Sequence, residues 1–248
     1  MSHSFNKVPA VTLAFWLIKI AATTMGETAG DAVSMTLELG YLASSCIFAL
    51  LFVVAASAQI FAQRYHPFLY WGVIVATTTL GTTLADFSTR SLGVGYPGGS
   101  LILFALVLLS LAAWHFSVGR ISFDHIASPK VESFYWMTIL FSNTLGTALG
   151  DFLADETPLG YEGGALIFGA VLALIAAAYY FSRVSRALLF WMAFILTRPL
   201  GATLGDILTK PLEAGGLDLG RFSSSAVLAA VMTALILYSL RKAKTAHS

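Results

Sequence analysis

Four times along the chain an apolar segment carries a tryptophan, a glycine ten residues later and an aspartate five residues after that. The sets are Trp16, Gly26 and Asp31; Trp71, Gly81 and Asp86; Trp136, Gly146 and Asp151; and Trp191, Gly201 and Asp206. The strings around them read TTMGETAGD, TTLGTTLAD, NTLGTALGD and RPLGATLGD. Four of the five tryptophans share this register, which marks an internal repeat. An ionisable group in an apolar helix is tolerated only where it faces away from lipid. Each repeat must therefore turn its aspartate toward protein.

The apolar segments recur at lengths near the roughly 20 residues that a helix needs to cross about 30 Å of hydrocarbon. Hydrophobic residues make up 57% of the 248 and charged residues only 11%, against about 25% charged in ordinary soluble domains. This composition excludes a soluble globular domain and a disordered chain. It predicts an all-α integral membrane protein with eight transmembrane helices at about 9–35, 41–62, 67–89, 99–118, 131–154, 163–182, 187–209 and 222–240. Even-numbered spans are almost uncharged, whereas odd-numbered spans hold ionisable groups. The chain reads as one membrane domain, 1–248, of four two-helix repeats at about 9–62, 67–118, 131–182 and 187–240. A repeat of two spans always starts on the same side, so the units are parallel and a pseudo-fourfold arrangement about the membrane normal is expected.

Ten residues after the first three aspartates come Tyr41, Tyr96 and Tyr161, each preceded by glycine. At this position the fourth unit shows Gly215 and Gly216 and a longer connection. The aspartates are 55, 65 and 55 residues apart, as two related halves of two units would give. With an even number of spans both termini share a side. Lys7, Arg64, Arg120, Lys130, Arg183, Arg186, Arg241, Lys242 and Lys244 fall there, against Arg90, Lys210 and Arg221 opposite. Both termini are therefore expected in the cytoplasm. No cleaved signal peptide is read. The net charge of +1 offers no basic tract for nucleic acid.

The fourfold Trp-x9-Gly-x4-Asp spacing resembles a bacterial membrane-protein family of four tandem two-helix repeats of unknown function, each with a fixed tryptophan. The resemblance covers nearly the whole chain. It implies that architecture and a location in the bacterial inner membrane, and it brings no established catalytic residues.

At 100° per residue, the aspartate, the tryptophan and the positions one, four, five, eight and twelve before the aspartate share a helix face about 140° wide. That face holds Asp31, Glu27, Thr23 and Lys19 in unit one, and Asp86, Thr82 and Thr78 in unit two. In unit three it holds Asp151, Thr147 and Asn143, and in unit four Asp206 and Arg198. A charged group near the bilayer centre costs on the order of 3 kcal/mol. Lys19 and Arg198 can neutralise two of the five acids, which leaves three for protons or a bound cation to balance.

Carboxylates, hydroxyls and one amide are hard oxygen donors suited to Mn²⁺, Mg²⁺ or Ca²⁺. Asp31, Asp86, Asp151, Asp206 and Glu27 are the expected metal ligands, supported by Thr23, Thr78, Thr82, Asn143 and Thr147. Cys46 reads as a packing residue, and His66, His115 and His125 as interfacial ones. The tryptophans read as structural or interfacial anchors. The glycines Gly26, Gly81, Gly146 and Gly201 read as close-packing positions. Pro199 is expected to kink its helix.

The leading expectation is a proton-coupled secondary transporter of a small cation, with manganese export its most specific form. Alternatives are a cation-selective channel, or a transporter of an organic solute or anion that uses Lys19 and Arg198. No enzyme is expected. The Gly-x-Gly-Asp signature of intramembrane aspartyl proteases is not met, and no nucleotide-binding loop is present.

Overall fold

A computed structural model describes residues 7–62, 64–119, 121 and 128–245. Arg120 and His125 lie outside the described residues. Those described form eight long helices and no strand: α1 (Leu13–Asp31), α2 (Gly40–Phe61), α3 (Pro67–Asp86), α4 (Gly95–Val118), α5 (Pro129–Asp155), α6 (Gly160–Phe181), α7 (Arg186–Thr209) and α8 (Arg221–Thr245). Six of them are long and apolar enough to cross a membrane, as in a multi-pass membrane protein. The two outside that group, α1 and α5, hold Lys19, Glu27 and Asp31, and Lys130, Glu132, Asp151 and Asp155. Their polarity is turned inward, because Lys19, Glu27, Asp31, Glu132 and Asp151 are all buried.

Three odd helices start at a hydroxyl cap, where Thr12, Ser128 and Ser185 accept from the amides of Phe15, Val131 and Leu188. Pro67 opens α3 and Pro129 opens α5, a position where the missing N–H costs nothing. Threonines inside these helices return their hydroxyls to the preceding turn, as Thr77 does to Ile74 O at 2.7 Å and Thr79 to Val75 O at 2.8 Å. A Thr-rich helix thereby satisfies its own polar groups away from water.

The odd helices close on one another: α1 packs on α3, α3 on α5, α5 on α7, and α7 back on α1. Each even helix packs on the odd helix of the next unit, α2 on α3, α4 on α5, α6 on α7 and α8 on α1. Their remaining faces are apolar and exposed, as at Leu50, Leu101, Leu166 and Val227. Cys46 sits on such an exposed face instead of inside a packed interface.

One contact recurs at all four joints of the inner ring. Gly26 faces Thr78, Gly81 faces Asn143, Gly146 faces Arg198, and Gly201 faces Thr23. In every case the glycine five residues before one aspartate meets the residue eight before the next, so the four helices run parallel at one height. A Cβ at Gly26 or Gly201 would collide with the threonine opposite. Absence of side chains here sets the helix separation. Pro199 lies within a continuous α7 and packs on Gly146 and Gly150.

Gly26→Ala and Gly201→Ala are each expected to cost about 1–3 kcal/mol by overpacking. Gly72 has open space around its Cβ position, so Gly72→Ala should leave stability unchanged or raised. Thermal unfolding of the detergent-solubilised variants checks both outcomes.

Candidate functional site

The ring encloses three polar or aromatic layers along its length. At the end where the odd helices begin, eight aromatic side chains interlock. Phe15 packs on Trp71 with centroids 5.4 Å apart, Tyr70 on Trp136 at 5.5 Å, Tyr135 on Trp191 at 6.3 Å, and Phe190 on Trp16 at 5.7 Å. The residue just before each tryptophan thus meets the tryptophan of the next unit. Tyr70 and Tyr135 join by their hydroxyls at 2.8 Å. Trp71 and Trp136 are buried in this belt, so they close the ring instead of anchoring it at an interface, while Trp16 and Trp191 are half-buried. The aromatic dyads Phe-Trp, Tyr-Trp, Tyr-Trp and Phe-Trp stand plainly in the sequence and were the available signal for Phe15, Tyr70, Tyr135 and Phe190.

The middle layer is held by Arg198. Its guanidinium meets Glu27 Oε2 at 2.9 Å and donates to Thr23 O at 3.3 Å, Thr78 O at 3.4 Å and the hydroxyl of Thr82. Fully buried, it bolts α7 to α1 and α3. Thr82 also donates to Glu27 at 3.2 Å. Thr78 donates to Ala22 O at 3.2 Å and Thr23 to Thr197 O at 3.1 Å, equivalent bonds at two joints. Asn143 donates to Thr77 Oγ1 at 3.0 Å, and Thr147 bonds to its own helix at Asn143 O. Lys19 departs from expectation. Among the described residues its ammonium pairs with no acid and has no hydrogen-bond acceptor; it lies 4.1 Å from the Phe194 ring centroid.

All four repeat aspartates are buried at the far end of the ring. They do not stand unneutralised. Arg90 reaches Asp86 at 3.1 Å, Asp151 at 3.6 Å and Asp155 at 3.3 Å. Lys210 reaches Asp206 at 3.3 Å and Asp31 at 3.8 Å, and Arg221 lies 3.5 Å from Asp31. Three bases assigned by sequence to the opposite surface thus fold over the aspartates, and the expected surplus of three uncompensated acids is not found. Arg90 and Lys210 each follow their own aspartate by four residues, one helical turn, and that spacing was the missed signal. Each clasps its own aspartate and that of the next unit.

The fourth unit also keeps its second landmark, later than expected. Gly40, Gly95, Gly160 and Gly220 all carry positive φ, between 61° and 76°; the first three open α2, α4 and α6, and Gly220 immediately precedes α8. Arg221, not Gly216, therefore occupies the place of Tyr41, Tyr96 and Tyr161. The tyrosines serve the Arg90 side. Tyr96 donates to Asp155 at 2.7 Å and Tyr161 donates to it at 2.9 Å, while Arg90 donates to Tyr96 at 3.1 Å and Tyr41 at 3.5 Å.

The aspartates consequently divide into pairs. Asp86 and Asp151 belong to a tightly tied cluster around Arg90. Asp31 and Asp206 join Glu27, the three offering carboxylate oxygens all within 4.8 Å of one another. Three such oxygens can supply half the shell of a hard cation. Burial alone would depress the Lys210 ammonium, but Asp206 and Asp31 more than offset it and hold its pKa above the ordinary lysine value. Lys210 therefore meets this cluster as a cation at neutral pH.

Removing one partner of the buried Arg198–Glu27 pair strands the other. Arg198→Met is expected to cost about 3–5 kcal/mol, and the double variant with Glu27→Leu to recover a large part of it. Chemical unfolding of the four corners of this cycle measures the coupling.

Neither a curated protein nor a solved structure matches the chain. A model of a family of repeats of unknown function, DUF347, matches four times, at residues 14–65, 69–119, 134–185 and 189–245. With all four matches together spanning most of its length, the chain belongs to that repeat family.

Proposed function

We propose that the protein is a secondary transporter of a small divalent cation, and not an enzyme, with Mn²⁺ export coupled to protons as its most specific form. In this reading all eight helices cross the bacterial inner membrane in a pseudo-fourfold array, with both termini cytoplasmic. The charged helices α1 and α5 cross because their polar faces are buried against α3 and α7. The observation that carries the reading is the Glu27, Asp31 and Asp206 cluster under Lys210 and Arg221. The two bases act as tethered cations that an incoming ion displaces. Protons compete for the same carboxylates. Arg198, which sequence offered as a neutralising charge, is bonded on too many sides to leave easily.

An aromatic belt at one end and a basic clasp at the other support alternating closure over an open pore. The Arg90 cluster, with five partners, is the fixed half; the Lys210 cluster is the half that exchanges. A second reading, transport of an anion or small organic solute, is favoured by one observation, the buried Lys19 ammonium with no acceptor among the described residues.

Flux of Mn²⁺ into proteoliposomes tests the first reading. Glu27→Gln, Asp31→Asn and Asp206→Asn are each expected to lower the rate by at least about tenfold, the effect of about 1.4 kcal/mol. Lys210→Met removes the competing cation and should lower half-saturating Mn²⁺ roughly tenfold. Unchanged Mn²⁺ flux in both aspartate variants would reject the proposal, and flux of an anion abolished by Lys19→Met would replace it with the second reading.

A further inference from the structure

The aromatic belt has an outer side, and grooves open onto it at the α7–α1 and α1–α3 joints, the larger at the first. Where α7 meets α1, a groove of about 740 Å³ runs between α6 and α1. Its floor includes Trp16 and Phe190, one of the four aromatic pairs, and its walls include Ile20 and Ile175. Arg186 and Tyr179 line its mouth, with the guanidinium 4.4 Å from the tyrosine ring centroid. Arg186 and Arg183 are exposed at this end.

Three features restrict what can fill such a groove. Its deepest polar residue, Thr197, already donates its hydroxyl to Phe194 O at 2.7 Å, so the interior asks for no polar partner. Eleven residues separate Arg186 from Thr197, about 16 Å along a helix at 1.5 Å per residue. That depth is close to half of the roughly 30 Å hydrocarbon core, one leaflet. Finally, the mouth carries positive charge at the end where a headgroup phosphate would lie, and basic pockets between membrane helices favour anionic headgroups.

We infer that this groove binds one acyl chain of an anionic phospholipid, with its phosphate held by Arg186. The chain lies against Trp16 and fills the space outside the Phe190–Trp16 pair. Lipid thereby braces the α7–α1 joint of the aromatic belt from outside. This inference stands apart from the identity of any transported ion.

Tryptophan quenching by brominated lipid in mixed micelles tests it, with the Trp16 contribution taken as the difference between the protein and Trp16→Phe. Acyl-brominated phosphatidylglycerol is expected to quench Trp16 at a several-fold lower mole fraction than acyl-brominated phosphatidylcholine. Arg186→Gln should abolish that preference while leaving the protein folded, and Ala176→Phe, which fills the groove, should abolish quenching of Trp16 by either lipid. Equal quenching by the two lipids, or a preference that survives Arg186→Gln, would overturn the headgroup assignment. Quenching that survives Ala176→Phe would overturn the groove itself.

Discussion

Four helices, each polar along one face, can share an apolar environment only by burying those faces against one another, and close approach at every joint is what makes this feasible. The glycine five residues before each aspartate admits the residue eight before the next, so Thr78, Asn143, Arg198 and Thr23 enter the space that a side chain would otherwise occupy. Once the helices are this near, threonine hydroxyls reach the neighbouring backbone and Arg198 reaches two other helices. The even helices then cover the outside, each shifted by one unit, so that no repeat is complete without the next. Stability and the polar interior share one cause.

Upon this regular frame the charges are distributed unevenly, and the unevenness follows the halves of the chain. Bases one turn beyond the aspartate occur in units two and four only, as Arg90 and Lys210. Each bridges to the following unit, and four equivalent carboxylates become two clasped pairs. In one pair Asp155, Tyr41 and Tyr96 add partners for the arginine. In the other, Glu27 adds a third carboxylate, and a lysine with longer contacts replaces the arginine. A guanidinium with many planar contacts fixes its surroundings, whereas an ammonium is a compact charge more readily exchanged. On this difference rests the proposal that the second pair, and not the first, admits a cation.

Much of this was legible in the linear pattern. Fixed spacings among Trp, Gly and Asp place equivalent residues on equivalent faces, because helix geometry repeats them at one angle. Glu27, the four aspartates and the threonines therefore fall together on the sequence pattern alone. What escaped depended on contacts between units. Arg90, Lys210 and Arg221 lie near span ends, where topology suggests solvent, and only the fold brings them back over buried acids. Lys19 was expected to neutralise an acid because charge counting ignores direction; its side chain instead runs to Phe194. Arg221 was hidden by the longer connection in unit four, although Leu219-Gly220-Arg221 follows the Leu-Gly-Tyr pattern of 39–41 and 159–161. The aromatic belt needed knowledge of which face of each tryptophan meets the next helix.

Anomalous X-ray diffraction from crystals equilibrated with Mn²⁺ tests most directly whether the exchangeable pair receives a cation. The expected result is one anomalous peak within bonding distance of carboxylate oxygens of Glu27, Asp31 and Asp206, with the Lys210 ammonium withdrawn from both aspartates. Undisturbed Lys210–Asp206 and Arg221–Asp31 pairs with no peak among the three carboxylates, at millimolar Mn²⁺, would contradict it.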